Sequence, residues 1–494
     1  MPITMPITTL ERDRATGKLS LNGVITVLRG GAYDVFFDPG RSPEFVRAGG
    51  RPHVVTRFGP GGAPCQLADD RATAVALESW DETGNDFSPF FQKMAGTGCN
   101  FLRVFLTGGT LRRSSGLVTL SPFVRRTVDA GVHYDVRGAV ERGAWNLPFF
   151  RRLRAFVEQA DRAGVVVQLS LFNYYDVVLD PRDNTRTWSL SPWNAQNVPD
   201  PDRDWADLHL IPNATAPANR HREFTTPPAG RATRLVQQKL IGRVMTAVAG
   251  LRNVVLEVMN EPRPVAGPAD LARLAEFSSF VVGAIVGLRA ATGSEALVSV
   301  NASFVLPEGD DPPGDSDVDV WARRTGSIPH YKDVDLVSYH GLTAMGDRGF
   351  NVCGGVRVPR MDAAAIDARA DLHAAAHPDK ALLFSTDAVN VKRFIHEYAG
   401  GVSMNVRDGQ IRPVPGGTTL EAQLVRSEVY HWARRCFARG KGRFLGTIHF
   451  HNHSTFKLPL DRIGAAARHE GIQPSVAADV AEMAEMDAGL LDPV

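Results

Sequence analysis

Eight short apolar runs, most of them separated by a stretch of helical periodicity, constrain this chain more than any other feature. They occupy residues 23–29, 100–106, 165–171, 254–259, 296–300, 334–337, 381–384 and 444–450. The fourth shows the pattern best. Val254, Val255, Leu256, Val258 and Met259 are rich in β-branched side chains, which is how a strand buried on both faces reads. Asn260-Glu261-Pro262 stops that run, because a proline cannot donate to a central ladder. Between the third run and the residues before it, Phe150, Leu153, Phe156, Val157 and Ala160 recur at intervals of three and four; Asn146 stands at the N-cap position and Gly164 at the end. Further helices are predicted over 231–249, from an Asp270 cap to Thr292, over 363–376, and over 421–437 with Val425, Val429, Trp432 and Cys436 on one stripe.

Eight alternating strand and helix units predict a closed (β/α)8, or TIM, barrel rather than an open doubly wound sheet. No Gly-x-Gly-x-x-Gly joins a strand to a helix, which speaks against dinucleotide binding. The whole of 1–494 reads as one domain, with residues 1–20 as a polar lead and 464–494 as a final helix and tail. Two long segments, 40–66 and 176–230, read as loops over the mouth; the second carries Trp188, Trp193 and Trp205, which argue that it is ordered.

Basic and acidic residues nearly cancel, 55 against 54, so no broad field points to nucleic acid or an anionic membrane. Cys65, Cys99, Cys353 and Cys436 form no Cys-x-x-Cys pair and suggest neither a disulfide framework nor a zinc knuckle. The first residues lack a basic segment followed by an apolar core, and no run of about 18 apolar residues occurs. The expectation is a cytoplasmic protein, or a secreted one if a leader has been removed; oligomeric state is not legible.

Barrel closure would bring the strand ends to one mouth, and this gathers scattered residues into a candidate site. Glu261 follows the fourth strand and Asp387 the seventh. Two carboxyl groups across a sugar-sized cleft suit glycoside hydrolysis, one as a protonated acid for the leaving oxygen, the other attacking the anomeric carbon or activating water. Charge coupling between them would help to keep Glu261 protonated near neutrality.

These residues carry a resemblance. Asn260-Glu261-Pro262 resembles the acid/base motif of the clan A retaining glycoside hydrolases, most closely the cellulase and mannanase family. Gly98-Cys99-Asn100-Phe101-Leu102-Arg103 is similar to that family's second-strand motif, and Tyr339-His340 to its sixth-strand histidine pair. The resemblance implies Glu261 as acid/base, Asp387 as nucleophile or base, Asn260 on the sugar 2-hydroxyl, Arg103 and Tyr339 orienting Asp387, and His340 lining the sugar site with Trp188 and Trp193. It implies a carbohydrate substrate and no cofactor or metal. Two departures stand out: the family has glutamate where this chain has Asp387, and its tryptophan after the eighth strand is replaced by His449-Phe450-His451-Asn452-His453. Aspartate is one methylene shorter, which leaves retention and inversion both open.

Each residue also has a structural reading. Arg103 suits an interior ion pair, Asp387 an N-cap, Tyr339 and His340 a hydrogen-bonded pair, and Trp145, Trp188, Trp193 and Trp205 the core. His449, His451 and His453 alternate, so they point to one side of a strand; they are read either as sugar contacts or as ligands of a metal-dependent hydrolase. A barrel that binds carbohydrate without cleaving it is the third reading.

Overall fold

The computed structural model describes residues 8–25, 28–33, 100–106, 121–128, 131–177, 191–228, 233–260, 268–301, 330–340 and 377–386. It also describes the strand segments 403–405, 410–412 and 444–448 and positions 87, 88, 91, 188, 262 and 375. The loop at 40–66, the helix at 421–437, the tail at 464–494 and the four cysteines lie outside these residues, as does the helix at 363–376 apart from position 375.

Eight parallel strands close into a barrel in simple chain order. They are β1 (Arg29–Tyr33), β2 (Phe101–Phe105), β3 (Val166–Ser170), β4 (Val254–Glu257), β5 (Leu297–Asn301), β6 (Leu336–His340), β7 (Ala381–Thr386) and β8 (Phe444–Ile448). Closure is made by β8 pairing with β1, Thr447 opposite Gly30. Helices pack outside: α1 (Val136–Arg142), α2 (Leu147–Arg162), α3 (Arg203–His209), α4 (Pro217–Thr225), α5 (Thr233–Ala247) and α6 (Pro268–Thr292). On α2 the residues at intervals of three and four, Phe150, Leu153, Phe156, Val157 and Ala160, are buried, and Gly164 follows at φ +74. The Asn146 side chain does not cap; its Nδ2 donates to Ser121 O at 2.8 Å. Helix α6 begins at Pro268, two residues before the expected Asp270 cap, since proline is well accommodated in a first turn. By length and composition α6 could cross a membrane; four of its apolar residues, Phe277, Val281, Val282 and Ile285, are buried in the outer core.

The register resolves the barrel interior into layers contributed by alternate strands. Arg103 pairs with Gln168 and Gln168 with Val255, two residues before Glu257; Glu257 pairs with Ser299 and Ser299 with Leu336, two before Ser338. Continuing through Leu383 and Leu445 leads to Thr447, and through Gly30 and Phe101 back to Arg103. Arg103, Glu257, Ser338 and register position 447 therefore share one layer. One step below it stand Gly30, Gln168, Ser299 and Leu383. The floor beneath is apolar: Phe101, Val255 and Leu336, then Val166, Leu297 and Ala381, all in an inner cluster distinct from the strand–helix core.

The first strand differs from expectation. Val24–Ile25 belongs to a separate three-stranded antiparallel sheet with Leu10–Arg12 and Leu19–Leu21, and the barrel strand begins at Arg29. Leu21 and Val24 pair across Asn22-Gly23, whose φ values of 54° and 80° suit a two-residue type I′ turn and its twist. The supposed polar lead is thus a plug: Leu10 and Leu19 join the inner cluster with Leu28. Segment 176–230 differs as well, because 191–228 contains α3, α4 and short 3-10 turns rather than irregular loop.

Polar contacts tie the plug to the barrel. Arg12 Nε donates to Asp335 Oδ1 at 2.9 Å with both side chains nearly inaccessible, and Arg12 Nη1 donates to the Asp379 carbonyl. Thr8 N–H donates to Asp161 Oδ1 at 2.8 Å. Arg12→Ala removes the closer of the two cations on buried Asp335 and leaves only Arg289 at 3.9 Å, so the variant should lose up to about 3 kcal/mol in urea unfolding. An unchanged midpoint would put the plug outside the cooperative unit.

Candidate active site at the barrel mouth

The described part of the mouth is organised around one buried ion pair. Strand β2 carries Arg103 and β4 carries Glu257, both fully buried, in the same interior layer two strands apart. Arg103 donates to Glu257 Oε2 through Nε at 2.9 Å and Nη2 at 2.5 Å. Nη2 also donates to Asn260 Oδ1 at 2.7 Å. Glu257 Oε1 accepts from Asn301 Nδ2, at the end of β5, at 3.2 Å. Phe105 on β2 offers its ring face 4.9 Å from the guanidinium. A charge pair this deep is tolerable only when its donors and acceptors are matched, and the asparagines do much of that matching.

The same bonds set Asn260, which is 2% exposed. Its backbone continues the β4 ladder beyond Glu257: Asn260 N–H donates to Phe172 O at 2.7 Å, and Tyr174 N–H donates to Asn260 O at 3.2 Å. With Oδ1 held by Arg103, Nδ2 is directed to Asn173 Oδ1 at 3.1 Å. This orients the amide without ambiguity, and it leaves the second Nδ2 hydrogen uncommitted.

Glu261 is joined to Asn260 by sequence, Asp387 to Thr386 at the end of β7, and His449 to Ile448 at the end of β8. Glu261, Asp387, His449, His451 and His453 themselves lie outside the described residues. Tyr339 and His340 close β6 in register with Phe384 and Ser385 of β7. The resemblance puts Arg103 on Asp387, which lies outside the described residues; among the described residues the anion that pairs with Arg103 is Glu257. Its Nη1 meets no hydrogen-bond acceptor.

Trp188 and Trp193, expected to offer faces to sugar, are packed instead, at 3% and 2% exposure. Arg220 lies over the Trp188 ring at 4.6 Å and Trp188 Nε1 donates to Asn213 O at 3.3 Å. Phe123, Phe172 and Phe224 surround Trp193 edge-to-face at 6.2, 6.0 and 4.9 Å. Trp145 stacks on Phe123, and Trp205 packs against His209. The physical reason is that 191–228 folds as helical structure of its own, and these rings supply its core. Among the described residues no group of three or more His, Cys, Asp or Glu could hold a metal ion.

Glu257, Asn173 and Asn301 were missed as site residues. The signal for Glu257 was present: a carboxylate inside an otherwise apolar strand has to find a cation, and Arg103 is a cation inside another such strand.

Fold and site together define a (β/α)8 barrel with a polar, ion-paired upper interior opening at the carboxyl ends of its strands. No protein family matches the sequence, and no curated protein does. Among solved structures, an endo-1,4-beta-mannanase from Rhizomucor miehei is similar over 97% of this chain and 99% of its own, with a TM-score of 0.48 and 10% identity. A glycoside hydrolase family 5 mannosidase from the same organism is similar over 97% and 99%, with a TM-score of 0.46 and 12% identity. Endo-glycoceramidase II from Rhodococcus sp. is similar over 90% of this chain and 76% of its own, with a TM-score of 0.40 and 14% identity.

A double-mutant cycle tests the ion pair. Arg103→Met or Glu257→Leu alone should each cost about 3–5 kcal/mol, since each strands a buried charge. The double variant should cost less than their sum by on the order of 2 kcal/mol. Additive losses in urea unfolding would show that the two residues are not coupled.

Proposed function

We propose that this chain is a glycoside hydrolase whose acid/base is Glu261 and whose second carboxylate is Asp387, the nucleophile or the base. The observation that carries the reading is the fixing of Asn260 by Arg103 and Asn173. An amide immobilised beside the acid/base, with one N–H hydrogen still to donate, suits a bond to a sugar 2-hydroxyl that strengthens in the transition state. Closure of the barrel supports the second half of the reading, because β4 and β7, the strands that Glu261 and Asp387 follow in sequence, end on one rim.

In this reading Glu261 protonates the glycosidic oxygen as the bond breaks. Asp387 then forms the glycosyl ester, which water hydrolyses with Glu261 as base; alternatively Asp387 activates water directly. Arg103 fixes Asn260 through its Glu257-anchored fork, and its Nη1, without another acceptor, is the donor we assign to Asp387. Tyr339 shares that orienting role, and His340, His449 and His451 line the sugar site. The substrate is a β-linked oligosaccharide, polysaccharide or glycoside, and the reaction needs no cofactor.

Glu261→Gln keeps the shape and removes the proton to be donated. It should lower turnover of an unactivated glycoside about 10²–10⁴-fold with the melting temperature unchanged; wild-type turnover would overturn the assignment. Proton NMR of the first anomer released separates the two roles of Asp387, retention meaning nucleophile and inversion meaning base.

A further inference from the structure

The interior layer just beneath the Arg103–Glu257 pair is polar without being satisfied. Gln168 and Ser299 are both fully buried and stand on β3 and β5, the two strands that flank β4. Gln168 Oε1, Gln168 Nε2 and Ser299 Oγ meet no hydrogen-bond partner in the protein, and neither does Ser338 Oγ, on β6 in the layer above. Ser338 lies two residues past Leu336, the register partner of Ser299, so the two hydroxyls are diagonal neighbours. Orphaned groups are uncommon in folded interiors, and four close together call for a shared partner.

Two observations define that partner. Gly30 occupies the β1 position of this layer, so three side chains stand where a filled layer has four. The unpaired groups of Gln168, Ser299 and Ser338 are neutral and mixed, an amide donor, an amide acceptor and two hydroxyls that do either, and Arg103 Nη1 in the layer above adds one further donor. A cation would ask for oxygen acceptors alone, and an anion for donors alone. Glu257 supplies no charge for a cation, since its carboxylate is already matched by Arg103 and Asn301. Water donates and accepts equally and is the usual occupant of such a set.

We propose that this layer binds a cluster of ordered water bridging Gln168 to Ser299 and Ser338, a hydrogen-bonded shelf on which the Arg103–Glu257 pair rests. The inference stands on the barrel interior and does not depend on the glycosidase reading. A high-resolution crystal structure of the full chain tests it. Density for at least one water within hydrogen-bond distance of Gln168 and of either serine is the result expected. A layer without such density, or one in which the side chains bond each other directly, overturns it. Ser299→Ala gives an independent readout on a small change that the fold should tolerate. The melting temperature falls if that hydroxyl is held by water, whereas an unchanged or higher value means that the hydroxyl was unpaired and contradicts the shelf.

Discussion

The buried pair of Arg103 and Glu257 is the constraint on which the rest of the upper barrel depends. Two full charges taken out of water cost several kcal/mol each, and the loss is offset only by close contact and by filling the remaining hydrogen-bonding positions. Contact follows from barrel geometry: the residues come from strands that are not neighbours, and the stagger of the ladders puts them in one layer. Two of the remaining positions are filled by Asn260 and Asn301, one just past β4 and one at the end of β5, while Arg103 Nη1 meets no acceptor. Stability and orientation are thus the same set of bonds, since whatever matches the arginine also fixes the amide next to Glu261.

The interior divides between floor and mouth. Phe101, Val166, Val255, Leu336 and Ala381 close the lower half, and the N-terminal sheet seals it from below with Leu10 and Leu19. Above them Arg103 of β2, Gln168 of β3, Glu257 of β4, Ser299 of β5 and Ser338 of β6 add polar groups. An apolar floor gives the barrel its packing energy and keeps water from the amino ends of the strands. The mouth is then free to carry charge and unsatisfied polar groups, as barrels with sites at their carboxyl ends do. Arg12 is the polar counterpart of the floor, a single side chain latching the plug to the strand entries through Asp335 and the Asp379 carbonyl.

Barrel topology was legible because strands buried on both faces leave near-continuous apolar runs: six of the eight overlap the observed barrel strands by most of their length, and the sixth, 334–337, shares Leu336 and Val337 with its strand. The first shared only Arg29 with its observed strand, although Asn22-Gly23 between Leu-Ser-Leu and Val-Ile is a strong hairpin signal that should have separated the plug from the barrel. Side-chain partners were harder to read. Arg103 reads as an interior cation, but Glu257, the anion that pairs with it, is hard to pick out because it sits inside the apolar run of β4. The tryptophans of 176–230 were expected at the sugar, and aromatic content alone does not separate a ring that faces a ligand from one that cores a helical insertion. Layer membership, which decides who meets whom, needs the register of all eight strands at once and is not local to any of them.

The most direct measurement is the separation of the Glu261 and Asp387 carboxyl groups in a crystal structure of the full chain. A distance of about 5–5.5 Å would fit direct attack by Asp387, and one of about 6.5–9.5 Å would fit an intervening water. Either supports two carboxylates acting on one glycosidic bond. A much longer distance, or either carboxyl directed away from the shared mouth, would contradict the proposed chemistry while leaving the barrel intact.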